Sequence, residues 1–523
     1  MTETEKILRA PADGRVLGEI VRHQREDLFQ AVRRAREVQP AWDALPRSRK
    51  TECAERAARW IHRNAHRIAE TVAACTGKTR VDALSTEVLP GATAWVYYAR
   101  LAGKALRPRT LRRSSVLFLN KKSSLRREPY GVVGIISPWN YPFAIPLHET
   151  ATGLLAGNGV VLKVATQVQP VGELIAEMID DAGFPPGIFG LIHLPGPEAG
   201  PAFVESGIGK LFFTGSTETG KTLAGLAARR LLPVSLELGG KDAMIVLRDA
   251  NLSRAAAGAV WAGVSNCGQS CAGVERIYVE KPVYDRFLRL LRARVSVLRQ
   301  GPDGDWDADF GGLTTAEQKE TVAAQLEDAL RRGAVVTASS PEPAADPGGG
   351  LYHPALVVET DGYRGDLMSR ETFGPILAVS PVEDAEEALR RANDSPYGLT
   401  ASIWTADSRR ARKLASRLEV GVVTLNDHLM SHGMAETPWG GFKESGIGRS
   451  HGLSGFHEMT REKVVVTERL PMMKRNMWWH PHSRRVYDGL MGALDMLFAA
   501  GPVGRIRGAF RAARLFGERF FRS

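Results

Sequence analysis

Cysteine is scarce in this chain: Cys53, Cys75, Cys267 and Cys271 are the only four in 523 residues. That is too few to staple so long a polypeptide with disulfides, and it points to a reducing compartment. No apolar run follows the opening Met1-Thr-Glu-Thr-Glu-Lys6, so no secretory leader is read there and the expected location is the cytoplasm. No uncharged stretch reaches the ~20 residues needed to span a bilayer. Heptads, repeats and fibrous composition are also missing, which removes coiled coils and solenoids. No second pair of ligands accompanies Cys267 and Cys271, so a zinc pattern is not present and no metal is expected.

What remains is an ordinary globular composition, 44% hydrophobic and 24% charged, in a chain long enough for two or more domains. The formal charge of +11 is unevenly placed. Residues 470–523 hold ten Lys or Arg against three acidic residues, so the body is close to neutral and the tail is basic. Residues 26–72 carry helical spacing. From 131 onward short apolar runs (Gly131–Ile136, Val160–Leu162, Ile188–Leu194, Leu211–Phe213, Val234–Leu238) alternate with helical stretches (Pro146–Leu155, Gly172–Ala182, Glu218–Arg229). That alternation predicts an α/β fold with a doubly wound, Rossmann-like parallel sheet. A second α/β series runs from Ala243 to Asn426, with a loop rich in Pro, Ala and Gly over 340–350.

Several loops carry chemistry. Asn266-Cys-Gly-Gln-Ser-Cys271-Ala-Gly273 places a thiol on a Gly-rich turn after the apolar segment 255–264, where backbone N–H groups can stabilise a thiolate. Cys271 is therefore a candidate nucleophile, the alternative being a small buried hydrophobe. Ser137-Pro-Trp-Asn140-Tyr-Pro142 is stiffened by two prolines, so the Asn140 amide is either a fixed donor to an oxyanion or an Asx-turn residue. Lys163-Val-Ala-Thr166 and Phe213-Thr-Gly215-Ser216 lie at the sheet edge where such folds bind ligands, the second as a glycine turn able to offer N–H groups to phosphate. Glu237, in Glu237-Leu-Gly-Gly-Lys241, suits a general base or else pairs with Lys241.

Together with Glu371-Thr-Phe-Gly-Pro375 and Gly440-Gly-Phe-Lys-Glu-Ser-Gly446, these motifs resemble, in order, those of the aldehyde dehydrogenase superfamily, over roughly residues 10–469. The resemblance implies a hydrolytic NAD- or NADP-dependent oxidation of an aldehyde. Cys271 forms a thiohemiacetal and then a thioester, Asn140 holds the oxyanion, and Glu237 activates water. It implies cofactor contacts at Ser137, Pro138, Trp139, Lys163, Thr166, Gly215, Ser216, Leu238, Glu371 and Phe373, and a homodimer or homotetramer. It divides the chain into a cofactor domain (1–238, with 427–450 returning to the domain interface), a catalytic domain (239–426) and a small β oligomerisation element (110–130 and 450–469). Two departures stand out. Thr166 replaces the acidic residue common in NAD-preferring members, which removes the main barrier to a 2′-phosphate. Cys267 is an extra thiol, either a partner for a reversible disulfide or a packing residue.

The tail, 470–523, lies outside the pattern. Leu490, Met491, Leu494, Leu497 and Phe498 fall on one helical face. Beyond Gly501-Pro502 a second helix sets Ile506, Phe510, Ala513, Phe516 and Phe520 opposite Arg507, Arg511, Arg514 and Arg522. An apolar face opposite a basic one predicts helices lying in a membrane interface, with Trp478 and Trp479 at headgroup level. The alternatives are packing on a partner subunit and nucleic-acid binding, the latter disfavoured because aromatics and arginines are segregated. The expected substrate is then a lipophilic or long-chain aldehyde at the membrane surface. A small semialdehyde dehydrogenase and a non-catalytic scaffold are the competing readings.

Overall fold

The computed structural model describes residues 7–343, 349–360 and 365–521, with no side-chain description beyond Arg519. Met1–Lys6, part of the loop over 340–350, and the predicted positions of Phe520 and Arg522 on the tail helix lie outside what is described. Two compact units result, Met1–Leu106 with Glu128–Arg461, and Arg107–Arg127 with Glu462–Ser523.

The first unit holds two open sheets. One has the order Gly446–Ile447, Val234–Glu237, Lys210–Thr214, Val132–Ile136, Gly159–Lys163, Phe189–Leu191, parallel except for its first member. Strands of this sheet are continuous apolar runs because both faces are covered. Val133, Ile135, Val160 and Leu162 point into a core shared with helices Arg47–Arg63 and Leu89–Ala105, whereas Val132, Ile136 and Val161 enter the core on the other face. The period of two along a strand requires this split. Order reverses at Val132–Ile136, whose neighbours on either side are the next strand in the chain and a later one. The loops leaving the C-terminal ends of these strands therefore face a common crevice.

The second sheet has the order Val335–Ser339, Leu356–Glu359, Ile376–Val382, Val274–Glu280, Asp242–Val246, Thr400–Trp404, Val422–Leu425. It is parallel apart from the antiparallel Val335–Ser339. It too is covered on both faces, with Met244, Ile277 and Val379 on one side and Ile245, Tyr278 and Ile403 on the other. The helices Gly196–Glu205, Ala385–Asn393 and Ser408–Ala415 and the hairpin Ile7–Arg9/Val16–Glu19 complete this unit without having been read from the sequence.

The second unit is a three-stranded sheet in the order Thr460–Glu468, Lys121–Pro129, Arg109–Thr110, joined by a helical hairpin of Arg484–Phe498 and Pro502–Phe521. The hairpin closes on glycine. A Cβ on Gly489 would sit 2.5 Å from Leu515, and one on Gly508 would sit 2.4 Å from the Met496 nitrogen, so only hydrogen lets the backbones approach this closely. Val486, Ala493, Ala512 and Leu515 form a small core with Met477, to which Leu117, Met473 and Leu490 add. This corrects the apolar face expected from the sequence. Leu490 turns into that core and Leu497 is half-buried, because the small residues one step away form the helix contact instead. The exposed face is Tyr487, Met491, Leu494 and Phe498, continued by Val503, Ile506, Phe510 and Phe516. Among the described residues no helix is long and apolar enough to cross a membrane.

Candidate active site

Cys271 follows a turn built under strain. Asn266 and Cys267 have φ of 54° and Gly268 has 72°, three consecutive residues in the left-handed region. Such a run persists only where surroundings over-determine it. Asp82 supplies part of that, its carboxylate accepting from Ser265 Oγ and the Asn266 N–H, both at 2.9 Å. Gly268 is required sterically, since a Cβ there would meet the Gly374 carbonyl at 2.2 Å. Cys267 lies fully buried in the core beside the second sheet, whereas Cys271 is half-buried and packs on Ala272, Leu399 and Trp439. Burial, then the carboxyls of Glu371, Asp242 and Glu237, push the Cys271 thiol well up, against the pull of its own backbone N–H.

Asn140 is buried in the loop after Val132–Ile136. Its Nδ2 donates to the Gln269 carbonyl at 3.1 Å, which ties the loop to the nucleophile turn and leaves the second amide hydrogen for another acceptor. Its backbone carbonyl accepts from Lys78 Nζ at 2.8 Å and Asn266 Nδ2 at 3.0 Å. Lys78 is itself paired with Glu87 at 2.6 Å, both fully buried. The other oxygen of Glu87 accepts from Phe143 and Ala144 N–H at 2.7 and 3.2 Å, capping the helix Ala144–Leu155. So the loop backbone at Asn140 is fixed by a buried ion pair as well as by its prolines.

Glu237 ends its strand buried, with neither carboxylate oxygen hydrogen-bonded. Burial and the nearby Glu149 raise its pKa well above the ordinary carboxylate value. The pairing with Lys241 left open by the sequence does not occur. Lys241 binds Glu275 and, at 2.8 Å, Thr372 Oγ1. A narrow cavity of about 20 Å³ brings Cys271 and Glu237 together, lined also by Ile145, Thr214, Leu399 and Trp439. That is room for a water-sized occupant. Glu149, His148, His432 and His451 complete the wall, and the sequence reading flagged none of the four. The one available signal was His148-Glu149 inside an apolar helix.

The remaining predicted residues gather at the C-terminal ends of the first sheet. Lys163 ends Gly159–Lys163, buried, with no carboxylate at ion-pair distance among the described residues; burial lowers its pKa to about 8. Thr166 opens the short 3₁₀ turn that follows. Ser137 Oγ is buried without a partner, and Pro138 is half-buried beside it. Gly215 N–H donates to the Glu237 carbonyl at 3.0 Å, and Ser216 caps the helix Thr217–Ala228. Leu238 packs against Gly220, whose Cβ would lie 2.4 Å from it. On the facing loop Glu371 accepts from Gly240 N–H at 3.0 Å, and burial, with Glu275 beside it, raises its pKa to about 8. Phe373, at φ 54°, meets Trp139 edge-on at 5.6 Å. Glu275, another residue missed from sequence, holds that loop by accepting from the Thr372 and Phe373 N–H groups. A buried cation without an anion, an orphaned hydroxyl and a glycine turn before a helix fit a phosphate-bearing dinucleotide.

Comparison with known proteins agrees with this geometry. The profile described as "Aldehyde dehydrogenase family" matches residues 2–465. A 4,4'-diapolycopene aldehyde oxidase of Methylomonas sp is 37% identical over 490 residues, 94% of this chain and 90% of that protein. A Mycobacterium ulcerans (strain Agy99) protein, provisionally named an NADP(+) succinate-semialdehyde dehydrogenase, is 37% identical over 446 residues, 85% of each chain. The NAD+ complex of an aldehyde dehydrogenase from Bacillus cereus superimposes with a TM-score of 0.83 at 31% identity, covering 88% of this chain and 93% of that one.

Proposed function

The chain belongs to the aldehyde dehydrogenase family, and from that premise we propose that it oxidises an uncharged, apolar aldehyde to its carboxylic acid at a lipid surface, with NAD or NADP as cofactor. The observation that carries the substrate reading is the cavity lining, which has no lysine or arginine and two carboxyl groups, Glu149 and Glu237. A semialdehyde bearing its own carboxylate would find no cation to pair with there. The tail supports the same reading. The alignment with the diapolycopene aldehyde oxidase omits only about 6% of the chain, less than the length of residues 470–523, so it runs into the tail.

In this mechanism the Cys271 thiol passes its proton to solvent water and Sγ bonds to the aldehyde carbon. The carbonyl oxygen becomes an anion held by the free Asn140 Nδ2 hydrogen and the Cys271 N–H. NAD or NADP, when bound, would supply the acceptor for the hydride. Lys163, Ser137, Gly215, Ser216, Glu371 and the Trp139–Phe373 pair would hold the cofactor, and Leu238 shapes the crevice wall. Glu237 takes a proton from water, the resulting hydroxide attacks the thioester carbon, and the acid leaves as Cys271 recovers its sulfur. Thr166 leaves space and no negative charge for a 2′-phosphate, and Lys163 offers a cation, so NADP is accepted.

Two surface features support the partners. The hairpin's exposed apolar row, with Arg505, Arg507 and Arg514 also exposed, suits an anionic lipid interface. Thr460–Glu468 is an edge strand with Val464, Val465 and Val466 exposed, which suits pairing with a second copy into a homodimer or homotetramer. The test is a panel of aldehydes of increasing chain length plus succinate semialdehyde, followed by NAD(P)H absorbance with and without anionic vesicles. The expected result is kcat/KM rising with chain length and further with vesicles. Preference for succinate semialdehyde in either condition overturns the substrate reading.

A further inference from the structure

The cavity that Cys271 and Glu237 share contains a group of side chains that the aldehyde chemistry does not use. His148, His432 and His451 each bring one ring nitrogen to within 4.8 Å of the other two. His148 and His451 are 2% exposed, and His148 Nε2 and His451 Nδ1 are buried with no hydrogen-bond partner. A buried polar atom without a partner is costly, and two aimed into one cluster call for a common ligand. The far side of His148 is already fixed, because its Nδ1 lies 2.8 Å from the Tyr98 hydroxyl. With Nδ1 donating, the Nε2 lone pair is turned toward the other rings, the arrangement in which a metal-ligating histidine is usually held. His451 sits at φ 61° immediately before the helix Gly452–Glu458, a left-handed position that costs energy for a residue with a Cβ. His432 is wedged edge-on to Trp439 at 5.0 Å. The lining points the same way, since unpartnered oxygens of Glu149 and Glu237 line the same cavity and no cationic side chain competes for them there.

We propose that His148, His432 and His451 form a three-imidazole site for a divalent transition metal of the zinc class, with its open coordination position facing the cavity of Cys271 and Glu237. Three imidazoles and one open position are a donor set that zinc and cobalt accept, whereas magnesium and calcium require oxygen. Tetrahedral ligation places nitrogens about 3.3 Å apart, so binding draws the rings together and separates the His148–His451 stack, now 3.8 Å between centroids.

The test reads binding alone and so stands apart from the aldehyde reading. Co(II) is titrated into metal-free full-length protein and followed by visible absorption. The expected result is one equivalent bound with the intense bands of four-coordinate cobalt, bleached by Zn(II). His148→Gln, His432→Gln and His451→Gln should each weaken binding by at least about tenfold, and Cys271→Ser should leave the bands in place. X-ray absorption of the zinc-loaded wild type should show imidazole scattering and no sulfur, which needs no variant to fold. Absence of saturable one-equivalent binding, a zinc–sulfur shell, or bands that survive all three histidine changes overturns the proposal.

Discussion

In the cavity around Cys271, polar atoms are held away from water without partners: both oxygens of Glu237, one of Glu149, and nitrogens of His148 and His451. In the helical hairpin of the second unit the opposite holds, and large apolar side chains face solvent, Phe498 at 75%, Phe510 at 74%, Ile506 at 56% and Leu494 at 50%. Each departure costs stability. An orphaned buried group costs about 1–3 kcal/mol, and an exposed large apolar side chain forgoes about 1.5–3 kcal/mol of burial. Both departures also occur elsewhere, at Ser137 Oγ and at Leu231 for example, but here several gather in one place, and under the proposed function the missing partner is a small reactant in the first case and an apolar phase in the second.

Removing the cavity's nucleophile should have the largest effect. Cys271→Ala is expected to abolish aldehyde oxidation, by at least about 10⁴-fold in kcat, while Cys267→Ala, changed in the core, keeps most of it; steady-state NAD(P)H formation measures both. Retained activity in the first variant and its loss in the second would move the nucleophile. Glu237→Gln should lower kcat by about 10²–10⁴-fold yet still give one rapid burst of reduced cofactor in stopped flow, because only the hydrolytic half needs the base. On the hairpin side, truncation is a poor probe, since Met477, Val486, Ala493, Ala512 and Leu515 form part of that unit's core. Replacing Leu494, Phe498, Ile506 and Phe510 with Ser leaves the core intact and should weaken co-sedimentation with anionic vesicles by about a hundredfold or more. Unchanged sedimentation together with a smaller oligomer by light scattering would make the apolar row a subunit contact.

Smaller effects belong to the cofactor crevice. Thr166→Glu should shift preference from NADP toward NAD by about 1–3 kcal/mol, read as the ratio of kcat/KM for the two cofactors. Use of NAD alone by the unmodified protein contradicts that role for Thr166. Glu371 carries a pH signature of its own. Its folded pKa is raised from 4.5 to about 8, so between those values the folded chain holds a proton that the unfolded chain releases. Stability therefore falls as pH rises across that window, by about 1.4 kcal/mol per unit, and levels off above it. Urea unfolding of Glu371→Gln should show a flatter profile over the same range.

The alternation of apolar runs and helices located both sheets and most of their strands, because a strand buried on both faces writes its burial into consecutive residues. Glycine turns and the loops after strands marked Cys271, Asn140 and Glu237 as candidates, since such positions need particular backbone geometry, whereas Trp139, Leu238, Glu371 and Phe373 entered only through the family resemblance. What could not be read was side-chain convergence. His148, His432 and His451 are distant in sequence and meet only through the fold, and nothing local in Lys78, Asp82, Glu87 or Glu275 marks a buried carboxylate or ammonium. The hairpin was read half correctly. Helical period gave both helices, but it could not say that Gly489, Gly492 and Gly508 rather than the leucines would form their contact.

The segment from Lys78 to Glu87 contributes no reacting atom, yet Asp82 holds the Cys271 turn while the Lys78–Glu87 pair holds the Asn140 loop. Both halves of the proposed chemistry thus depend on one short stretch near the start of the chain, part of it wound as the π-turn Leu84–Val88, a geometry often found beside functional sites. During synthesis this stretch leaves the ribosome long before the loops it orders. A chain in which these contacts are not yet made would lack the anchors that hold the Cys271 and Asn140 loops. These contacts span 184 and 62 residues of sequence, so recovery of activity after dilution from denaturant is expected to require them and not only the local elements.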